Sequence, residues 1–288
     1  MNSSEKTIKK EVILYTGITL LLTYGIGSVI YLFGNFIPIP VMTASMPIPG
    51  LVCIALYLIW GNPLFKKGND LGFKIPKVGF FLVTPPIMFL LVLSTCLISI
   101  FLSPEFLLSK EIIVERLSNF ISGSNPYLNM LLILLINIFI APILNFPLFL
   151  GEELGWRGFL TPRLLKLTNP TIAFLISGVI WGVWHLFGIL SGHNYPGFPI
   201  LGNLMMILLC IPTGVILHYY FLKSGSIFIP MVAHGAINWS SITLFNYLIN
   251  PENFDPRIQG PTGIIGIALF WIIGGIYFRK FKKIQFSN

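Results

Sequence analysis

The sequence predicts an all-α, polytopic integral membrane protein with about eight transmembrane helices and with both termini in the cytoplasm. Three observations lead to this prediction: the composition, the length of the apolar runs and the positions of the basic residues. Of the 288 residues, 55% are hydrophobic and 10% are charged, whereas soluble domains carry about 25% charged residues. So little polar surface does not suit a water-soluble globular protein, and lipid is the expected solvent.

The apolar runs have the length of membrane spans, because a helix needs about 20 residues to cross a hydrocarbon core of about 30 Å. The first run is too long for the core of a signal peptide and lacks a small-residue cleavage site, so we expect it to be retained. The eight runs cover residues 12–33, 38–60, 79–103, 127–150, 171–190, 198–222, 227–247 and 262–279.

Prolines interrupt two of these runs. Pro85-Pro86 are expected to kink the third run, and Pro142 and Pro147 the fourth, since proline removes a hydrogen bond of the helix. The helical pattern of the fourth run continues beyond its apolar part toward Leu160.

The longest predicted external connection covers residues 104–127. Its apolar residues recur at helical spacing, which predicts a helix lying on the outer surface of the membrane. The chain shows no internal repeat and no second pair of broken spans, and such a pair is typical of an inverted-repeat transporter.

The basic residues test the map of spans. If the N-terminus is cytoplasmic, the cytoplasmic segments contain all but three of the 18 Lys and Arg residues, the exceptions being Lys110, Arg116 and Arg257. This distribution obeys the positive-inside rule at every alternation and also predicts a cytoplasmic C-terminus. The net charge of +8 is therefore explained by membrane topology and does not indicate a nucleic-acid partner.

Three cysteines, Cys53, Cys96 and Cys210, each lie inside an apolar run. Their number is odd, and their spacing suits neither a disulfide framework nor a metal cluster. We expect all three to be packing residues.

Ionisable residues inside membrane spans are costly and usually functional. Glu152 and Glu153 are neighbours on the fourth helical segment, so their side chains diverge by about 100°. Glu153 stands four residues before Arg157, which is the favourable order for an ion pair. We therefore expect Glu153 to pair with Arg157 and Glu152 to face the interior of the bundle. A salt-bridge network that includes both carboxylates is the alternative.

Two further helices contribute polar side chains at one-turn spacing. Trp181 precedes His185 by four residues on the fifth run, and His234 precedes Asn238 by four on the seventh. Each pair alone could serve only to pack helices or to bond across them. Because three helices each contribute buried polar groups, a shared cavity is the simplest arrangement that hydrates them.

The other two histidines are expected to take no part in the chemistry. His218 precedes Tyr219-Tyr220 near a predicted cytoplasmic boundary and is interpreted as part of an interfacial belt. His193 lies in a short external loop.

Four glycines have the small-xxx-small spacing of closely packed membrane helices: Gly151 with Gly155, and Gly178 with Gly182. We expect them to let the fourth and fifth helices approach each other. That approach would bring the acidic pair near the histidine of the fifth run.

Three motifs, on the fourth, fifth and seventh helical segments, resemble those of a known family. In order and spacing they resemble the CPBP family, which comprises CAAX-type prenyl-protein endopeptidases and bacteriocin-processing or self-immunity (Abi) proteins. The resemblance covers roughly residues 127–247. Trp181 departs from the commonest pattern, in which this position is Phe. The three motifs are Glu152-Glu153-xxx-Arg157, Trp181-xxx-His185 and His234-xxx-Asn238.

The resemblance implies hydrolysis of a peptide bond inside the membrane, near its cytoplasmic side, in a membrane-bound peptide or lipidated protein. Hydrolysis needs a base that activates water, and a carboxylate withdrawn from bulk water has a proton affinity suited to that task. We assign Glu152 as the general base and His185 as a second group holding the same water. His234 and Asn238 would donate to the oxyanion of the tetrahedral intermediate. The supporting residues would be Glu153, Arg157 and Trp181.

A metal-dependent mechanism is the alternative, because members of this family are often described as metalloproteases. Glu152, His185 and His234 could form the three-ligand set that catalytic zinc usually takes. The sequence has no His-Glu-x-x-His motif, however, and zinc would leave Asn238 without a purpose. We therefore prefer a mechanism without a cofactor, with zinc or another divalent metal as the alternative.

Two other classes of protein stay open. A non-proteolytic bacteriocin self-immunity or peptide-binding membrane protein could use the same fold. A transporter or proton relay is disfavoured, because the ionisable groups collect near one depth. We divide the single membrane domain into an N-terminal three-span region with the external amphipathic segment (1–126), a core that resembles the family (127–247), and a last span with a basic tail (248–288).

Overall fold

The computed structural model describes residues 3–33, 40–64 and 71–286, and these ranges are predominantly helical. They contain no strand beyond one isolated bridge between Leu107 and Ile249. Lys66 and Lys67, two of the basic residues predicted to be cytoplasmic, lie outside the described residues. The predicted fold class, an all-α membrane bundle, is confirmed.

The helices follow one another closely along the described chain. Two π-helical segments, Ile136–Ile140 and Leu154–Leu160, and two 3-10 turns, Pro104–Phe106 and Pro251–Asn253, lie between them. The α-helices are α1 (Ser3–Phe33), α2 (Val41–Ser45), α3 (Ile48–Ile59), α4 (Val78–Leu102), α5 (Lys110–Ser118), α6 (Pro126–Leu135), α7 (Ala141–Leu144), α8 (Phe146–Glu153), α9 (Thr161–Leu167), α10 (Pro170–Trp184), α11 (Leu186–Leu190), α12 (Pro199–Ser224), α13 (Phe228–Leu248) and α14 (Ile264–Phe286).

Within the described ranges, six helical segments are long and apolar enough to cross a membrane: Ser3–Phe33, Val41–Ile59, Val78–Leu102, Pro126–Leu144, Pro199–Ser224 and Ile264–Ile284. The other two predicted runs are also helical, and only the fifth is interrupted. The fifth run becomes α10, with only 15 residues, because the helix breaks at His185. The seventh becomes α13, whose 21 residues include His234 and Asn238. Large apolar side chains such as Leu21 and Phe101 are more than two-thirds exposed, as expected for a surface that faces lipid.

The fourth run is the most irregular part of the bundle. It passes from α6 through the first π-helical segment into α7, and the helix breaks at Asn145. Pro142 and Pro147 lie in the first turns of α7 and α8, where a missing backbone N–H costs nothing. The predicted interruption by these prolines is confirmed. In contrast, α4 continues as one helix through Pro85 and Pro86.

The bundle is held together mainly by the packing of α12 between α10 and α14 and of α13 against α4. The N-terminal helices α1 and α3 cover the segment that follows the acidic pair: the ring of Tyr15 stacks on Phe159 at 4.5 Å. The predicted helix of the 104–127 connection is present as α5. Ser109 caps its N-terminus, and Leu117 is its buried residue.

The glycine pairs do not join the fourth and fifth helices, so that prediction was wrong. A Cβ atom added at Gly151 would lie 2.6 Å from Cα of Pro47. The glycine therefore lets the segment between α2 and α3 pack closely against α8. A Cβ atom added at Gly178 would lie 2.6 Å from Cα of Ile211, so this glycine admits α12. The second glycine of each pair is similar: a Cβ atom added at Gly155 would meet Tyr15 of α1 and Pro49 of α3, and one added at Gly182 would meet Ile207 of α12.

The interpretation of His218 as an interfacial residue was also wrong. Its side chain is 1% exposed and packs against the rings of Phe174, Phe221 and Phe281 at 5.5 to 6.0 Å. Neither ring nitrogen makes a hydrogen bond with a described residue. His218 is therefore part of the interior between α10, α12 and α14.

Candidate active site

A cavity of about 430 Å³ lies among α2, α8, α10, α12 and α13. Most of its wall is apolar and includes Met42, Met46, Phe149, Met206 and Ile237. Five polar residues from the sequence motifs also line it: Glu152, Trp181, His185, His234 and Asn238. The structure thus brings together side chains that are separated by up to 86 positions in the sequence, although their roles stay predictions.

Glu152 presents one carboxylate oxygen to a neighbour and leaves the other unengaged. The side chain is 2% exposed, and Oε2 accepts a hydrogen bond of 2.8 Å from Nε1 of Trp181. No described residue donates a hydrogen bond to Oε1. This arrangement fixes the carboxylate at one end and leaves the other available to a molecule in the cavity.

Glu153 lies behind this wall and connects two helices. The predicted ion pair is present, with Nη1 of Arg157 3.2 Å from Oε1 of Glu153. The same oxygen lies 2.8 Å from Nδ1 of His234, a contact that the sequence did not predict. Glu153 and Arg157 are at most 1% exposed, so both charges depend on these partners for compensation.

Arg157 contacts the carboxylate of Glu153 directly and is connected to that of Glu152 through the ring of Trp181. Its Cζ atom lies 3.9 Å from the ring centroid of Trp181, and the edge of that indole donates to Glu152. A guanidinium over an aromatic face is attracted to the ring quadrupole. Trp181 is therefore held on its face by Arg157 while its Nε1–H is directed at Glu152.

The two histidines of the cavity differ in the group that each one contacts. Nδ1 of His185 lies 2.8 Å from the backbone oxygen of Trp181, which can only accept, so Nδ1 carries a proton and donates it. Nε2 of a neutral His185 is therefore an acceptor. His234 is held at Nδ1 by the carboxylate of Glu153, so its Nε2 donates a hydrogen bond only when the ring carries two protons.

The two glutamates point in different directions because adjacent positions on a helix diverge by about 100°, and the helix widens directly after them. Glu153 is the last residue of α8, and the π-helical segment Leu154–Leu160 begins immediately after it. Such wider turns are uncommon and occur frequently at functional sites. Trp156 and Phe159 lie within this wider segment, and both pack against Tyr15 of α1.

Other residues at the cavity were not recognised from the sequence. Trp184 packs edge-on against His185 with ring centroids 4.9 Å apart and donates to Oγ1 of Thr23. Phe149 packs against His234 at 5.3 Å. His193, set aside as a loop residue, also lines the cavity. Aromatic residues are common throughout this chain, so no sequence signal distinguished these from core residues.

The proposed metal ligands were tested against the chemistry of the cavity. Within the described ranges, no three His, Cys, Asp or Glu residues are grouped so that they could hold a metal ion. Hydrogen bonds occupy Nδ1 of each histidine and Oε2 of Glu152, but ligating histidines usually have such partners on the other ring nitrogen, so these bonds do not themselves exclude a metal. Because the described residues do not form a three-ligand group, the mechanism proposed below includes no step on a metal.

Comparisons with known proteins agree with the motifs. Residues 127–240 match the family described as type II CAAX prenyl endopeptidase, Rce1-like. A curated protein of Methanococcus maripaludis, CAAX prenyl protease 2, is 30% identical over 211 residues, which are 72% of this chain and 69% of that protein. The family match includes every motif residue of the cavity. The chain therefore belongs to the CPBP family, among the CAAX prenyl endopeptidases.

Proposed function

We propose that this protein is an intramembrane endopeptidase in which Glu152 activates the water that attacks the scissile peptide bond. One observation carries the proposal most directly: a carboxylate with one free oxygen lines a largely apolar cavity together with two imidazoles and an amide. Family membership supports the same reaction class.

The hydrogen bonds of the cavity favour a division of roles for the attack. Trp181 occupies Oε2 of Glu152, so Oε1 is the oxygen that accepts a proton from water. Nε2 of His185 is a second acceptor and would orient the same water through its other hydrogen. The hydroxide equivalent adds to the carbonyl carbon, and the proton taken by Glu152 passes to the leaving nitrogen as the C–N bond breaks.

The oxyanion would be stabilised by the residues of α13. Asn238 lines the cavity and can donate an amide N–H. His234 can donate from Nε2 only as an imidazolium, since Nδ1 is committed to Glu153. With His234 in that form, the positive charges of Arg157 and His234 balance the negative charges of Glu152 and Glu153. Donors fixed in advance at the developing charge are usually the largest electrostatic contribution to such a reaction.

The preferred substrate is a membrane-associated protein or peptide with a prenylated CAAX-type C-terminus. The named relative acts on CAAX proteins according to its name. The methionine and other apolar side chains of the cavity wall suit a substrate that enters from lipid. A pheromone or bacteriocin precursor is the second substrate class that the same site could accept.

The direct test uses the purified full-length protein in liposomes. A peptide ending in a prenylated CAAX sequence is offered beside the same peptide without the prenyl group, and products are identified by mass spectrometry. We expect cleavage of the prenylated peptide, at a higher kcat/KM than the unmodified one. Failure to cleave either peptide or a bacteriocin-type precursor would contradict the endopeptidase function.

Metal dependence is checked in the same assay after exhaustive chelation. We expect activity to persist, because the proposed base, orienting group and donors are all side chains. Complete loss of activity that zinc alone restores would overturn the mechanism without a cofactor.

A further inference from the structure

A second cavity, also of about 430 Å³, lies between the start of α4 and the ends of α12 and α14. The residues that line it are far in sequence from Glu152 and Glu153. Three lysines line it, one from each of these elements: Lys77, Lys223 and Lys280. All three are exposed. We call this site the basic groove.

Among the described residues, no acidic side chain compensates the charge of the basic groove. No Asp or Glu is among the described residues that line it, and none of the three lysines forms an ion pair with a described carboxylate. Nζ of Lys223 instead lies 3.3 Å from the hydroxyl of Tyr219, and Nζ of Lys280 lies 5.2 Å from the ring centroid of Tyr277. Three positive charges thus face one cavity of molecular size.

The beginning of α4 adds donors to the same groove. Lys77 is the N-cap residue, and no side chain accepts a hydrogen bond from the first backbone N–H groups. A Cβ atom added at Gly79 would meet nothing within 4 Å, so the first turn can be approached closely. Free N–H groups and the helix dipole make such a helix end attractive to anions.

A buried hydroxyl lines the groove deeper along the same face of α4. Thr84 is 0% exposed, and its Oγ1 makes no hydrogen bond with a described residue. The hydroxyls of Tyr220 and Tyr277, 2.8 Å apart, lie on the opposite wall. Apolar side chains of α4, including Phe80 and Ile87, complete the lining. The groove therefore combines a cationic mouth with hydroxyl groups and an apolar wall.

We propose that the basic groove binds the headgroup of an anionic phospholipid. The helix ends that form it lie at the boundary of the spans, where a lipid phosphate is found. Its cations and N–H groups match a phosphate, and its apolar residues match the adjoining acyl chains. A zwitterionic lipid offers no net charge to the lysines and binds weakly.

The test measures lipid binding to the purified, delipidated protein by native mass spectrometry. Phosphatidylglycerol and phosphatidylcholine are titrated separately against three proteins. The first is the wild type, and the second carries Lys77→Gln, Lys223→Gln and Lys280→Gln. The matched control carries Lys9→Gln, Lys10→Gln and Lys282→Gln, which removes the same charge outside the groove.

Each lysine near an anionic headgroup contributes about a fivefold factor in affinity. We expect the groove variant to bind phosphatidylglycerol on the order of 100-fold more weakly than the wild type, while the control stays close to the wild type. Equal weakening in both variants would overturn the site in favour of a diffuse charge effect. Equal affinity of the wild type for both lipids, or displacement of phosphatidylglycerol by inorganic phosphate, would overturn a lipid headgroup as the occupant.

A thermal unfolding curve is recorded for each variant in the same detergent. If the groove variant does not fold, the single change Lys223→Gln replaces it in the titration. The expected loss is then about fivefold, and an unchanged affinity for phosphatidylglycerol would overturn the proposal.

Discussion

At the scale of single residues, the acidic pair divides into two environments. Glu152 lines the cavity and is held by Trp181 at one oxygen. Glu153 is buried behind it, and its Oε1 contacts both Nη1 of Arg157 and Nδ1 of His234. Adjacent positions on a helix diverge, so the sequence could predict that only one glutamate faces the cavity. It could not predict which residues of distant helices would meet each carboxylate.

Trp181 is the residue in which this chain departs from the commonest family pattern, and its indole N–H makes that departure chemically relevant. The change Trp181→Phe keeps an aromatic face for Arg157 but removes the hydrogen bond to Glu152. Because a hydrogen bond to a charged group contributes about 1.5–3 kcal/mol, we expect kcat to fall by about 10- to 100-fold with little change in KM. Steady-state kinetics in liposomes measure both constants.

Thermal unfolding of the Trp181→Phe variant is the control for a merely structural effect. We expect its melting temperature to stay close to that of the wild type. A kcat within twofold of the wild-type value (roughly 0.4 kcal/mol) would contradict the positioning role of the indole N–H.

At the scale of helices, most predicted elements are present, and their irregularities arise from particular residues. Each of the six long apolar helices of the described residues matches a predicted run, and Pro142 and Pro147 predicted the break in the fourth. The π-helical segment Leu154–Leu160 has no such signal. Neither does the break at His185. Neither contains a proline at the irregular position, so residue spacing along one helix did not predict them.

The glycine pairs show the same limit. Small-xxx-small spacing predicted that two helix faces would be approached closely, and both are. It did not specify the partner, because any backbone of suitable shape can occupy the space that a glycine leaves. The actual partner of Gly178 is Ile211 on α12.

The close approach at Gly178 leads to a prediction about stability. The change Gly178→Ala forces a Cβ atom to within 2.6 Å of backbone Cα of Ile211, so α10 and α12 must separate. We expect destabilisation of about 1–3 kcal/mol, measured as a lower melting temperature in detergent.

The matched control is Gly275→Ala on α14, where an added Cβ atom would meet nothing within 4 Å. That change should leave stability unchanged or raise it by up to about 1 kcal/mol, since alanine favours helix. Equal melting temperatures for the two variants would contradict the packing assigned to Gly178.

At the scale of the whole molecule, the positions of the basic residues predict one orientation. Eight spans with both ends cytoplasmic follow from the charge distribution, and the described residues form six long apolar helices together with α10 and α13. The three native cysteines are buried, so single exposed cysteines can report topology without a high background.

We expect a membrane-impermeant maleimide to label Ser122→Cys and Ser191→Cys, both at exposed positions, in intact cells expressing the protein. Lys166→Cys and Lys282→Cys should be labelled only after the membrane is permeabilised. Labelling of either of the latter two in intact cells would contradict the predicted orientation and the cytoplasmic position of the termini.

The central claim is that the carboxylate of Glu152 activates water in the cavity, and the change Glu152→Gln tests it most directly. The amide keeps the size of the side chain but cannot accept a proton, so kcat for the prenylated peptide should fall by about 10²–10⁴-fold. The change Glu11→Gln, which also removes one carboxylate but lies at the Arg163 pair outside the cavity, should leave kcat near the wild-type value. Cleavage by a folded Glu152→Gln variant at the wild-type rate would contradict the account.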